Sequence, residues 1–177
     1  MTHTWKFDQQ HSNVGFVVKH MMFSKVRGQF ASWNGHLEYD PDNPTDTSVV
    51  AAIETSSVDT GVEDRDDHLR SEDFFASELH PEMRFESTNV SSDGDNLTVE
   101  GNLTIRDVTH PVILDVERLG EGVDPWGNTR IGFSATGRIN RKDFGLTWNQ
   151  TLETGGVLVG KDVDIEIEVQ AVEQSEG

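Results

Sequence analysis

Leu97-Thr98-Val99-Glu100-Gly101-Asn102-Leu103-Thr104-Ile105-Arg106 divides by parity: Leu, Val, Gly, Leu and Ile at the odd positions, Thr, Glu, Asn, Thr and Arg at the even ones. Successive side chains of a β-strand point to opposite faces, so this stretch is a strand with one apolar and one wet face. A helix would need apolar residues three and four apart instead. The same alternation spreads outward in both directions. Toward the C-terminus it returns in Val112, Leu114 and Val116 after Pro111, and beyond the Gly-rich Gly120–Gly127 in Ile131, Phe133, Ala135, Gly137 and Ile139. It ends in Val163, Ile165, Ile167, Val169 and Ala171, opposed by Asp162, Asp164, Glu166, Glu168 and Gln170.

Toward the N-terminus, Ser91-Ser-Asp-Gly-Asp95 reads as a hairpin turn, preceded by Met83, Phe85 and Ser87 in phase. Val49, Ala51 and Ile53 form another set, reached through the turn Asp40-Pro-Asp-Asn-Pro44. Before it come Trp33, Gly35, Leu37 and Tyr39, then Val26, Gly28 and Phe30, with a parity change at Ala31-Ser32 that predicts a bulge or tight bend. Val14, Phe16, Val18 and His20 share a face, Met21-Met22-Phe23 is a loop-like apex, and Trp5 and Phe7 open the series. Eight or nine amphipathic strands with short turns predict an all-β, antiparallel barrel or sandwich occupying residues 1–177 as one domain. Parallel strands need covering crossovers, and only one helical segment exists to supply them.

That segment is TGVEDRDDHLRSEDFF, Thr60 to Phe75. Thr60 and Glu63 have capping-box spacing, predicting a helix from about Gly61 to Arg70, and Ser71 repeats the start signal. Arg65, His68 and Arg70 stand beside Phe74 and Phe75 as a head-group gate or lid. They also have a purely structural reading: Asp66 and Arg70 are an i,i+4 pair, and Asp73 can pair with either arginine.

The formal charge is -18, from 32 acidic and 14 basic residues among 177. Such a field repels phosphates and disfavours nucleic acid as a partner. It suits either a solvation surface in a high-salt cytoplasm, the halophilic reading, or recruitment of a basic partner. With no cysteine there is neither a disulfide nor a thiolate metal site. The histidines at 3, 11, 20, 36, 68, 80 and 110 include no HxH or HxxxH pair, so no metal site is expected. Gly132-Phe-Ser134-Ala-Thr-Gly137 has the wrong spacing for a nucleophile elbow and lies within a strand. Glu63-Asp-Arg-Asp-Asp67 does not open a calcium loop, since counting from Asp64 its sixth and twelfth positions hold Leu69 and Phe75. No apolar run approaches the roughly 20 residues of a transmembrane helix, and MTHTWKFDQQ does not read as a signal peptide. The expectation is a cytoplasmic protein, or a periplasmic or extracellular one if a leader was removed.

Taken together, these segments resemble the YceI-like family of small lipocalin-like barrels associated with polyisoprenoids and other long apolar lipids. The resemblance rests above all on Arg65-Asp66-x-His68-Leu69-Arg70-Ser71-x-Asp73-Phe74-Phe75. It is supported by Trp5-x-x-Asp8 with His11-Ser12, Phe16 through His20, Val26-x-Gly28-x-Phe30, Pro81-x-Met-x-Phe85-x-Ser87, Gly101-x-Leu103-Thr104-Ile105 with Thr109-x-Pro111-Val112, and Arg141-x-Asp143-Phe144-Gly145. It implies an eight-stranded antiparallel barrel, its helix near one mouth, holding a polyisoprenoid lipid of quinone or prenyl phosphate type without catalysis and with no other cofactor.

An eight-stranded barrel is at the size where side chains either fill the interior or leave room for one small ligand. Gly28, Gly35, Gly101 and Gly137 fall in the apolar register, and their missing side chains are expected to leave a groove. The expected ligand-binding residues on the strands are Phe16, Val18, His20, Phe30, Trp33, Leu37, Phe85, Leu103, Phe133 and Ile139. Phe74, Phe75 and Phe144 complete the set. His20 is read equally as a satisfied core histidine or a donor to the ligand. The alternatives to a lipid carrier or store are a small-barrel enzyme using His20 as acid or base, and an acidic protein-interaction module with a filled core; a homodimer is compatible with any of the three.

Overall fold

The computed structural model describes residues 3–153 and 155–174. Its strands are β1 (His3–Phe7), β2 (Asn13–His20), β3 (Ser24–Phe30), β4 (Trp33–Tyr39), β5 (Ser48–Glu54), β6 (Val58–Asp59), β7 (Glu82–Asp93), β8 (Asn96–Ile105), β9 (Val108–Val123), β10 (Thr129–Asn140) and β11 (Val159–Glu173), with one α-helix, α1 (Glu63–Arg70). All pair antiparallel in a single sheet that β1 and β11 close into a barrel.

Eleven segments make eight barrel strands because three strands are interrupted. β1 and β2 both pair with β11, at its C-terminal and N-terminal halves, and are separated by a short 3-10 turn at Gln9–His11. Their partners β4 and β3 likewise form one strand, broken at Ala31-Ser32 where the alternation changes phase. β5 and β6 continue that pattern along β4 and β3. The interruptions let a long hairpin curve round the barrel, which flat, unbroken strands cannot do.

The four glycines of the apolar register do not open a groove. A Cβ on Gly28 would lie 2.3 Å from the Phe16 ring, one on Gly101 2.4 Å from the Phe85 ring, one on Gly35 2.8 Å from Phe7 and one on Gly137 2.8 Å from Leu114. Each glycine is a seat for a neighbouring strand's large side chain, which lies along the wall instead of crossing the lumen. The interior space comes from that arrangement and from the barrel's circumference.

One end of the barrel is packed shut. Trp5, Tyr39 and Ile131 are each 1% exposed, the Trp5 and Tyr39 rings meet edge-on at 6.2 Å, and Tyr39 meets Phe133 at 5.4 Å. The Trp5 indole N–H donates to the Tyr39 carbonyl, so this buried donor is satisfied. At the other end lie the β2–β3 apex, α1 with the segment that follows it, and the long loop between β10 and β11.

α1 begins at Glu63, two residues later than its composition suggests, because the capping box does not form. Val62 occupies the cap position without a side-chain bond. The Thr60 hydroxyl is committed elsewhere: it donates to Asp66 Oδ1 at 2.6 Å and accepts from Arg65 Nε at 2.7 Å. Ser71 ends this helix instead of starting another, its hydroxyl donating to the His68 carbonyl and accepting from the Asp73 N–H.

Candidate functional site: a lidded apolar cavity

Between plug and mouth the barrel encloses a cavity of about 630 Å³, within the roughly 300–1,000 Å³ of small-molecule sites. Its walls are the inward-facing registers of the strands, including Val14, Phe16 and Val18 of β2, Leu97, Val99 and Leu103 of β8, and Ile165, Ile167 and Val169 of β11. Several of these side chains are only half-buried although they lie inside the barrel, because their uncovered area faces the cavity.

Phe133 forms the floor, over the plug. The mouth is narrowed by a lid of two pieces. α1 and the segment after it contribute Arg65, His68, Leu69, Phe74 and Phe75, and the β10–β11 loop contributes Leu146, Trp148 and Leu158. An aromatic cluster joins the pieces: His68 lies 4.5 Å from Trp148 and 5.0 Å from Phe74, and Phe74 lies 5.6 Å from Trp148. Phe75 packs on Phe30 at 5.7 Å and Phe30 on Phe16 at 5.6 Å, carrying the contact down the wall. Arg106, in the β8–β9 turn, donates to the Glu72 and Phe74 carbonyls and ties the lid to the barrel rim.

Polar groups collect at this mouth. Arg65 donates to the Thr60 hydroxyl and carbonyl, and the buried Asp66 accepts from the Thr60 N–H and hydroxyl. His68 Nε2 lies 2.9 Å from Asp73 Oδ2. The His20 side chain lines the cavity, half-buried, and makes no hydrogen bond to a described residue. Arg141 is 3% exposed and donates to the carbonyls of Gly160, Leu146 and Val159, with no carboxylate partner among the described residues. Burial pulls its pKa below the usual guanidinium value.

Fourteen of the sixteen residues expected at the site line the cavity: Phe16, Val18, His20, Phe30, Trp33, Leu37, Arg65, His68, Phe74, Phe75, Phe85, Leu103, Phe133 and Ile139. Phe144 and Arg70 do not. Phe144, 1% exposed, packs within the core against the His110 ring at 5.8 Å without lining the cavity, while Arg141 from the same 3-10 turn (Arg141–Phe144) does line it. Arg70 points along the lid, donating to the Ser56 carbonyl and pairing with Asp67 at 2.8 Å. Its partner is therefore the i−3 aspartate and not Asp66, which Thr60 occupies; Asp73 pairs with His68 and with neither arginine. Sequence reasoning missed Trp148 and the inward side of Arg141. The Arg141-x-Asp143-Phe144-Gly145 string entered only as part of the family resemblance, which does not say which of its side chains reaches the lumen.

The family profile described as YceI-like domain matches residues 5–171. The chain belongs to the YceI-like family. Among its relatives, a UPF0312 protein of Pectobacterium atrosepticum is 42% identical over 172 residues, covering 96% of this chain and 86% of that protein. Protein YceI of Escherichia coli is 40% identical over 172 residues, covering 96% and 87%. A mutant Campylobacter jejuni YceI protein, solved with a monobromobimane guest, superposes with a TM-score of 0.78 at 32% identity, covering 89% of this chain and 90% of its own. A polyisoprenoid-binding domain from Saccharophagus degradans has the same fold, with a TM-score of 0.66 at 15% identity and coverage of 98% and 100%. Among the described residues of this YceI-like chain, no helix is long and apolar enough to cross a membrane, and no three His, Asp or Glu side chains gather as metal ligands.

Proposed function

We propose that this protein binds one long-chain apolar lipid of polyisoprenoid type inside its barrel and carries or stores it without chemical change. The observation that supports the reading most is the cavity itself: about 630 Å³, walled mainly by aliphatic and aromatic side chains, with its charged groups gathered at the lidded mouth. The polyisoprenoid-binding domain of like fold points the same way. Burial is worth roughly 0.8 kcal/mol per CH₂-sized group, so each five-carbon unit contributes about 3 to 4 kcal/mol before ordering costs. An exposed head-group ion pair adds about 0 to 1 kcal/mol. The wall therefore sets affinity and the mouth selects the head group, of quinone or prenyl phosphate type. Among the described residues, no carboxylate or hydroxyl is hydrogen-bonded to the His20 ring to orient it, which favours binding over catalysis.

Organic extraction of the purified protein, followed by mass spectrometry, is expected to release a long-chain lipid, and the stripped protein is expected to rebind a supplied prenol. Failure to bind any native or supplied long-chain lipid would sink the proposal.

A further inference from the structure

β2 and β3 meet at the barrel mouth in an apex, Met21-Met22-Phe23, where Phe23 is 80% and Met22 56% exposed. Both methionines hold positive φ, 54° and 71°, the left-handed region that large side chains seldom adopt. The apex is not loose: the Met21 N–H donates to the Leu158 carbonyl, and the Met22 side chain lies over Gly156. A backbone held in this way presents apolar side chains to solvent beside the cavity entrance, where His20 and Val18 lead inward.

The charge at this apex is opposite to that of the chain. Of the five lysines in a protein of net charge -18, Lys19 and Lys25 are cross-strand partners at the foot of the apex. Lys161 follows Gly160, which lies against Lys19. All three are exposed, and none makes an ion pair with a described residue. Of the nearby acids, Asp164 is bonded to Arg138 and also feels the charges of Lys25 and Lys19, and Asp162 follows Lys161. Exposed apolar residues beside a group of exposed lysines that form no ion pair with a described residue match the interface of an anionic bilayer, which accepts rings and thioethers at the acyl boundary and ammonium groups among its phosphates. The far end of the barrel provides a contrast: Trp126 is also 80% exposed, but its loop is built around Asp124 and has no lysine.

We propose that the β2–β3 apex docks the barrel mouth on an anionic lipid bilayer, with Phe23 and Met22 entering the interface and Lys19, Lys25 and Lys161 facing the head groups. This extends the lipid-cargo reading by naming where cargo is exchanged, but docking is measured without cargo. The test is cosedimentation with phosphatidylcholine vesicles, with and without phosphatidylglycerol, in about 0.1 M salt, where the Debye length is about 10 Å. Wild type is expected to bind the phosphatidylglycerol vesicles preferentially. Phe23→Ser should weaken binding about tenfold or more, and Lys19→Gln/Lys25→Gln about thirtyfold, from roughly fivefold per lysine. Trp126→Ser should bind as wild type. Equal binding to both vesicles, no binding, or equal losses in Trp126→Ser and Phe23→Ser would overturn docking at this apex. So would Phe23-dependent self-association without vesicle binding, which assigns the apex to a second copy of the chain. Uptake of a fluorescent fatty acid without vesicles separates the two readings. Phe23→Ser that loses vesicles but keeps uptake supports docking, whereas wild type that docks but takes up no lipid leaves docking standing and removes the cargo.

Discussion

At the scale of single residues, the glycines of the wall differ in what their replacement would meet. The three atoms nearest a Cβ on Gly28 all belong to the tip of the Phe16 ring, a flexible side chain that borders the cavity. A Cβ on Gly101 meets the Phe85 ring at 2.4 Å and the Glu86 carbonyl at 2.7 Å, and the backbone cannot yield so easily. Gly101→Ala is therefore expected to cost about 1–3 kcal/mol, as overpacking does, and Gly28→Ala less than about 1; urea unfolding of the two variants checks the order, which equal losses would contradict. Gly28→Ala should instead lower lipid capacity. A second residue-scale test lies at the closed end, where Arg130 bridges Asp8 at 2.8 Å and Asp124 at 2.7 Å. Its guanidinium holds both carboxyls at about 2, below their ordinary 3.8. Above pH 3.8 they are charged in folded and unfolded chains alike and the stabilisation is complete. Between 3.8 and 2 the unfolded chain takes up protons first and the stabilisation drains away. The Tm difference between wild type and Arg130→Met should thus be largest above about pH 4 and shrink toward about pH 2, the titration of other acids being common to both. A difference independent of pH would refute the assignment.

At the scale of elements, the strands were legible because an amphipathic strand records its own orientation in its parity, as β8 and β11 do without ambiguity. The break at Ala31-Ser32 was legible for the same reason. The lid was less so, because its contacts are long-range. Thr60 and Glu63 satisfy the capping-box spacing, yet Asp66 and Arg65 claim the Thr60 hydroxyl, and no local pattern predicts which partner wins. Trp148 sits in a loop with no periodicity, so nothing in its neighbourhood announces that it closes on His68 and Phe74. That cluster joins the two halves of the lid, and each aromatic contact is worth about 0.5–1.5 kcal/mol beyond area burial. Trp148→Ala should accordingly speed release of a bound fluorescent lipid about tenfold or more, measured by stopped-flow displacement. An unchanged release rate would mean that the lid does not gate the cavity.

At the scale of the whole molecule, 32 acidic residues against 14 basic ones make self-repulsion a property of the fold and not of one site. The outer face of β11 shows the pattern: Asp164 pairs with Arg138 and Glu166 with Arg27, while Asp162 and Glu168 have no ion-pair partner among the described residues. Two like charges about 10 Å apart in water repel by about 0.4 kcal/mol, small singly but repeated over a surface with this excess. Salt shortens the Debye length from about 10 Å at 0.1 M to about 3 Å at 1 M, so most of the repulsion is screened within that range. If the acidic surface suits a salty milieu, Tm should climb steeply with KCl up to about 1 M and then flatten. General exclusion of salt from the protein surface would instead raise Tm steadily at higher concentrations and more strongly with sulfate than with chloride. Calorimetric scans in KCl and in potassium sulfate at matched ionic strength separate the two. Coincident curves that level off indicate screening, whereas a Tm indifferent to KCl would remove the halophilic reading and return the acid excess to recognition of a basic partner.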